Sequence, residues 1–384
     1  MLRWLTSGES HGPQLTVVIE GFPAGLEVSA ADLRKDLRRR QGGHGRGGRQ
    51  QIEVDEARFV SGVRGGYTIG SPVTIVLENR DHANWQGEMT AAKEGFAPKP
   101  VTRLRPGHAD LAGALKYGHS DVRNVLERSS ARETATRVAA GGIARKLLER
   151  FGARVLSFTQ SIGAVDLGYD AVDPEALDAE ELERSPVRCP DPELSRRMVE
   201  AIDAAAERGD TLGGTFRVVA TGLPPGLGSY VHWDRKLDGR LAQAILSINA
   251  VKGVEFGAGF EGAARPGSEF HDQIDFGGGR FRHLSNRAGG LTGGVTNGEP
   301  IDLRAAIKPI STMKKPMQSI DLKSKEKVSA HYERSDVCVV PAAGVIGEAV
   351  VALVLADAFL EKFGGDSIAE IERNHRGYLE LIGV

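Results

Sequence analysis

One dense run of arginines and two loop histidines hold most of the chemistry that this chain offers. Arg38-Arg39-Arg40-Gln41-Gly42-Gly43-His44-Gly45-Arg46-Gly47-Gly48-Arg49 sets five arginines within twelve residues, with no acid among them. Guanidinium forks match the oxygen geometry of phosphates and carboxylates, and neighbouring glycines let the backbone close around a small ligand. Gly43 to Gly48 formally satisfies GxGxxG. A dinucleotide turn needs an apolar strand before it, however, and here a charged helix precedes it. A nucleic-acid segment of RGG type would carry interleaved aromatic residues, and this run has none. The paired glycines favour a small, multiply anionic substrate over a merely solvated basic face.

Gly8-Glu9-Ser10-His11-Gly12 forms a glycine-bounded turn before the first strand. Histidine titrates near neutrality, so His11 is a candidate general acid for a leaving oxygen. In Arg105-Pro106-Gly107-His108-Ala109-Asp110 a proline-glycine turn presents His108 beside Arg105, with Asp110 two residues on. No HExxH or comparable spacing links any of the ten histidines, so no metal is expected. Glu127-Arg128-Ser129-Ser130-Ala131-Arg132-Glu133-Thr134 opens a helix, where free N–H groups, hydroxyls and arginines together suit phosphate. Ser247-Ile248-Asn249-Ala250-Val251-Lys252 reads equally as a tight turn or as backbone packed against a flat ligand. In Arg334-Ser335-Asp336-Val337-Cys338, Asp336 is either a base or the neutralising partner of Arg334, and Cys338 packs as a small hydrophobe.

The elements that must position these residues are partly legible. Gln14–Glu20 alternates as a strand, and Ser29 with Asp32 forms a capping box for a helix through Arg40. Residues 59–77 read as a strand pair broken at Gly65-Gly66, with the stronger piece from Pro72 to Leu77. A second capping box, Ser130 with Glu133, is expected before a helix to about Phe151. Its apolar face is Ala135, Val138, Ile143, Leu147 and Phe151. The acidic stretch 166–200 is expected to be a surface excursion, and 347–363 a deeply buried last helix. Glu20-Gly21-Phe22-Pro23-Ala24-Gly25-Leu26 is echoed by Thr221-Gly222-Leu223-Pro224-Pro225-Gly226-Leu227, and Gly70-Ser71-Pro72 by Gly298-Glu299-Pro300. These echoes, in the same order, suggest a duplicated chain: one domain over 1–384, with halves at about 1–150 and 210–384 and its site between them.

Bulk composition sets the outer limits. The 384 residues are 40% hydrophobic and 26% charged, which is ordinary for a globular enzyme with a sizeable core. Lys and Arg number 49 against 51 Asp and Glu, a formal charge of −2, so anion binding must come from local clusters and nucleic acid is not expected as a partner. Two cysteines without CxxC spacing support neither a disulfide framework nor zinc. No signal core and no membrane-length apolar run is apparent, which points to a cytoplasmic protein. The 49 glycines, about twice the usual share, gather in clusters that mark either ligand-hugging backbone or tight turns. No Walker-type GxxxxGK[ST] occurs, which argues against a P-loop kinase.

Taken in order, these segments resemble the chorismate synthase family over nearly the whole chain. The most specific blocks are Gly8–Gly12 running into Glu20–Pro23, then Arg128–Thr134, then Arg334–Cys338. The arginine-glycine loop, Arg105–Asp110, Ser247–Lys252 and Lys308-Pro309-Ile310-Ser311-Thr312 fall in the family's order as well. The stretch 166–200 carries no match. The resemblance implies an α+β fold in which helices form a layer between two antiparallel sheets, a β-α-β sandwich assembled as a homotetramer. It implies a carbon–oxygen lyase of the shikimate pathway. The reaction is the 1,4-elimination of phosphate from 5-enolpyruvylshikimate 3-phosphate to give chorismate, requiring reduced FMN without net redox change.

Carried over residue by residue, the resemblance makes His11 the proton donor to the departing phosphate. His108 becomes the support of the reduced flavin near its pyrimidine ring, and Asp336 the partner that helps the flavin N5 take the ring hydrogen. Arg40, Arg46, Arg105, Arg132 and Arg334 are implied to hold the substrate anions, with Arg39 and Arg49 in reserve. Arg128, Ser129, Ser130, Asn249, Ala250, Gly293, Lys308, Pro309, Ile310, Ser311, Thr312 and Arg334 are implied to contact FMN. Arg40 and Arg46 stand alternatively as NADPH contacts, as in members that reduce their own flavin. Other members rely on an external flavin reductase, and the residues do not separate the two cases.

Overall fold

The structure, a computed structural model, describes residues 1–48, 53–315, 317–333 and 335–383. Arg49 and Arg334 therefore lie outside the described residues.

Two antiparallel sheets enclose a layer of helices. The first half supplies β1 (Arg3–Ser7), β2 (Gln14–Glu20), α1 (Ala30–Gln41), β3 (Ala57–Ser61), β4 (Val73–Glu78) and α2 (Thr134–Arg150). The second supplies β5 (Arg154–Ile162), β6 (Gly214–Thr221), α3 (Leu237–Leu246), β7 (Val251–Phe256), β8 (Ile301–Ile307) and α4 (Val340–Phe363). Strand order is β1-β2-β4-β3 in one sheet and β7-β8-β6-β5 in the other, where a short edge strand, Val165–Asp166, follows β5. In these elements each half orders as strand, strand, helix, strand, strand, helix, with its first two strands paired and its fourth inserted before its third; the second half adds a helix, Pro192–Glu207, between β5 and β6. Alternation decides which face is buried: Leu15, Val17 and Ile19 on β2 and Val73, Ile75 and Leu77 on β4 point inward onto α2. Helix α4 crosses α2 and covers β5 and β6 from the inside.

The two echoed turns adopt the same hydrogen-bonded form. Thr68 Oγ1 donates to Pro23 O at 2.6 Å and accepts from Leu26 N at 2.9 Å. Thr296 Oγ1 donates to Pro224 O at 2.8 Å and accepts from Leu227 N at 2.8 Å.

Ser29 and Asp32 form the expected capping box of α1. The second expected box does not form. Ser130 follows a short helix, Arg123–Ser129, and its hydroxyl accepts from Arg132 N to cap a single 3-10 turn, Ala131–Glu133. The Glu133 side chain pairs instead with Arg137 one turn on. The last helix starts at Val340, ahead of the expected 347, with Pro341 in its first turn, where a missing N–H costs nothing. Contrary to the sequence reading, α4 is long and apolar enough to cross a membrane (mean hydropathy 2.0 over 18 residues), yet 89% of that window is buried inside the protein.

The stretch 166–200 is more than a surface excursion. Leu177 and Leu182 pack on Phe158 and Val219 and so cover the outer face of the second sheet, while Val187, Cys189 and Met198 enter the main core. It also completes a buried ionic cluster. Glu348, fully buried on α4, accepts from Arg39 of α1 at 2.7 Å, from Arg145 of α2, from Arg188 at 3.1 Å and from Ser157 on β5 at 2.7 Å. Burial alone would raise the Glu348 carboxyl, but three guanidinium groups hold it well below the usual range. Arg39 is committed to this cluster and does not reach the site described below.

Candidate active site

Loops and helix ends from both halves meet at a cavity of about 590 Å3. The first half contributes the 10–11 turn, the C-terminal end of α1 with Arg46 and Gly47, residues 105–109 and the Arg123–Thr134 region. The second contributes Ile248–Ala250, Lys252, Ile307, Lys308, Ile310–Thr312, Glu333, Ser335, Asp336 and the first turns of α4. Asn79, just after β4, pins the first of these loops: its Nδ2 donates to Glu9 O at 3.0 Å and to Gly12 O at 2.8 Å.

His11 is held on several sides. Its Nδ1 lies 2.8 Å from Glu127 Oε1, its backbone N–H donates to Glu127 Oε2 at 2.8 Å, and its ring stacks on Trp85 with centroids 4.0 Å apart. The adjoining Ser10 hydroxyl reaches that of Ser130 at 3.0 Å. His108 is fixed by Asp110, whose Oδ1 lies 2.6 Å from Nδ1, and Asp110 also accepts from Arg105 Nε at 2.9 Å. Asp110 is fully buried, which would raise its carboxyl, but the bonds from His108 and Arg105 outweigh that and hold it well below the usual range.

The arginines are packed against one another as well as against acids. Arg132 donates to Asn79 Oδ1 at 3.0 Å and pairs with Asp55, which lies 3.4 Å from Arg40 Nη2. Arg46 meets Asp336 Oδ2 at 3.0 Å, while Asp336 Oδ1 accepts from Gly47 N at 2.6 Å. Burial, together with the like charges of Arg132 and Arg46, pulls the Arg40 guanidinium down to about 10, so it stays charged at neutral pH. Among the described residues, Arg40 Nε, Arg46 Nε, Arg123 Nε and Arg132 Nη2 are buried without a hydrogen-bond acceptor. Such donors are costly to bury unless a ligand completes them. Among the described residues, the cavity wall carries seven Arg and Lys side chains against four carboxylates, a surplus of three positive charges before the histidines are counted.

Of the expected contacts, His11, His108, Asp336, Arg40, Arg46, Arg105, Arg132, Ser129, Ser130, Asn249, Ala250, Lys308, Ile310, Ser311 and Thr312 line this one cavity. Three others do not. Arg128 turns to the opposite side and donates to Thr6 O and Gly8 O, Gly293 sits in a hairpin beside Tyr230, and Pro309 is absent from the wall between Lys308 and Ile310. Several cavity groups escaped the sequence reading. Glu127, Arg123, Lys252 and Glu333 belong to it, with Trp85 and Asp55 just behind. Glu127 stood inside a motif already singled out, and its partner lies 116 residues away.

The donor set also fits a flat cofactor beside an anionic substrate. Ile248, Ile307, Ile310, Val339, Ala342 and Ile346 give one apolar wall. Asn249 Oδ1 is buried there with no donor, while its Nδ2 is engaged by Ser129 O at 3.0 Å. Ala250 takes φ +69°, a left-handed conformation that holds the 248–250 turn tight against the cavity.

A sheet–helix–sheet scaffold with a cationic cavity, two carboxylate-anchored imidazoles and unfilled guanidinium donors fits an enzyme that takes a small anionic molecule. The chorismate synthase family model matches residues 2–360, and the chain belongs to that family. A chorismate synthase of Desulforudis audaxviator (strain MP104C) is 58% identical over 384 residues, covering 100% of this chain and 98% of the relative. That of Geobacter metallireducens (strain ATCC 53774 / DSM 7210 / GS-15) is 55% identical over 391 residues, covering 100% and 99%. A crystal structure of chorismate synthase superposes with TM-score 0.81 at 41% identity, covering 99% of this chain and 98% of that one.

Proposed function

We propose that this chain catalyses the family's reaction, the 1,4-elimination of phosphate from 5-enolpyruvylshikimate 3-phosphate to give chorismate, the last step of the shikimate pathway. The observation that carries this reading is the convergence of His11, His108 and four arginines from distant segments on one cavity with unfilled buried donors. The substrate's two carboxylates and phosphate match the surplus of guanidinium groups, and Arg40, Arg46, Arg105 and Arg132 are the residues to hold them. When bound, reduced FMN supplies an electron transiently and takes it back, so the reaction has no net redox change. Asn249, Ala250, Lys308, Ile310, Ser311 and Thr312, with Ser129 and Ser130, are the residues that would hold it.

His11 donates the proton to the departing phosphate, a role that its place in the cavity wall supports. His108, backed by Asp110, would support a bound reduced flavin by offering it a proton, and Asp336 would assist removal of the substrate's ring hydrogen. Arg40 is 4% exposed, and its burial favours the enclosed substrate over NADPH as its ligand; the same reading is taken for Arg46. On that reading reduced flavin comes from an external reductase. A cytoplasmic homotetramer is part of the proposal. Leu5 and Val18, exposed cross-strand neighbours on the outer face of the first sheet, give an apolar surface that an assembly would cover.

The test is anaerobic phosphate release from the substrate with and without reduced FMN. Release that depends on reduced FMN, with no net flavin oxidation, is expected. Release at full rate without flavin would overturn the cofactor's part in the mechanism while leaving the substrate assignment standing.

A further inference from the structure

Glu127 holds His11 by two independent bonds. Its Oε2 accepts the backbone N–H of His11 and its Oε1 faces the ring Nδ1, each at 2.8 Å. Its own backbone carbonyl accepts from Ser10 N at 3.0 Å, so the helix Arg123–Ser129 grips the 10–11 turn at three points. The Glu127 side chain is 3% exposed and that of His11 12%. A carboxylate can only accept, so the proton at that contact sits on Nδ1, and Nε2 is left as the nitrogen free to exchange with a ligand. Trp85 stacks on one face of the ring, with centroids 4.0 Å apart, and supports that orientation.

We propose that Glu127 is the positioning residue for His11, fixing Nδ1 as the donor so that Nε2 hands its proton to the departing phosphate. This rests on the assignment of His11 as general acid. The ring acts as the imidazolium: the proton passes from Nε2 to the bridging oxygen as the carbon–oxygen bond breaks, leaving the neutral ring with its Nδ1–H still bound to Glu127. Other charged groups surround the ring and are shared by any variant: Asp81, with Oδ2 3.9 Å from Nε2; His82, whose Nδ1 meets His11 O at 2.9 Å; and Arg123, which lies over Trp85 and 3.5 Å from Glu127 Oε1.

The experiment is a double-mutant cycle with Glu127→Gln and His11→Ala in the flavin-loaded enzyme, reading kcat and KM under anaerobic conditions. A glutamine amide can donate as well as accept and lacks the charge. E127Q is therefore expected to lower kcat by about 10²-fold or more with KM nearly unchanged. The double variant should be no slower than H11A alone, within about threefold, because both changes act through one proton.

Normal turnover of E127Q beside a slow H11A overturns the role of Glu127. So does a double variant slowed by the product of the two single effects. Near-normal turnover of H11A overturns the assignment of His11 itself, a separate result. If E127Q does not fold, Glu127→Asp is measured in the same cycle. It keeps the charge but shortens the reach, and should lose rate with KM nearly unchanged. Full rate in E127D, or a loss that lies in KM alone, overturns the proposal.

Discussion

Glu333 shows how opposing effects are settled at a single side chain. Burial alone would raise its carboxyl, but the hydrogen bond from His331 and the charges of Arg123 and Arg105 outweigh that and lower it from 4.5 to about 2. A carboxyl depressed on folding stabilises the protein above its unfolded value and loses that contribution as pH falls towards the folded one. Wild type should therefore exceed Glu333→Gln in urea stability at neutral pH. The gap should shrink as pH drops below about 4.5 and close near pH 2, and a constant gap would rule the coupling out. None of this is visible along the chain, since Arg123 and Glu333 are 210 residues apart. His11, His108 and the arginines announced themselves because loop histidines and clustered guanidinium groups are unusual wherever they stand. Asp110 and Asp336 stand within the same motifs and are legible with them, whereas Glu127 and Asp55 are not singled out, because a lone Glu or Asp reads as surface until the fold supplies its neighbour. Arg39 shows the converse: it stood in the densest motif and serves a structural cluster instead.

Among the elements, the crossing of α2 and α4 sets the thickness of the helical layer. A methyl added at Gly141 would lie 2.4 Å from Ala349 Cβ and 2.5 Å from its Cα, so the backbone of one helix touches the other. Gly141→Ala would gain about 1 kcal/mol of helix propensity in an isolated helix. Here the overpacking should cost ~3 kcal/mol and win, because the atoms met belong partly to the backbone. A lowered urea midpoint with circular dichroism retained below the transition is expected, and an unchanged or raised midpoint would contradict the close crossing. The strands and α1 were legible from alternation and the Ser29–Asp32 box. The start of α2 was not, because Ser130 sits at a junction of two helices, where a serine-to-glutamate spacing matches a capping box without forming one. Close-packing glycines within a helix leave no sequence signal of their own; the glycine clusters that drew notice lie mainly in loops.

For the whole molecule, the two halves share an element sequence, a strand order and a turn bonded through Thr68 or Thr296. We read them as a duplicated unit, with the cavity at their shared border. If the turns are equivalent, Thr68→Val and Thr296→Val should each cost about 2 kcal/mol or more, because each strands a buried N–H and a carbonyl. The two losses should agree within about 1 kcal/mol by chemical denaturation, and a large cost at one site with none at the other would break the equivalence. The two glycine-proline turns are legible as an echo in the chain; the helical filling between the sheets is implied only by family resemblance. The position of α4 in the chain order bears on folding as well. It follows all eight strands, β1 to β8, so the inner face of β5 and β6 stays uncovered until it docks. An intermediate with its sheets formed but this greasy segment not yet seated exposes apolar surface on both, and needs chaperone shelter that the finished enzyme does not.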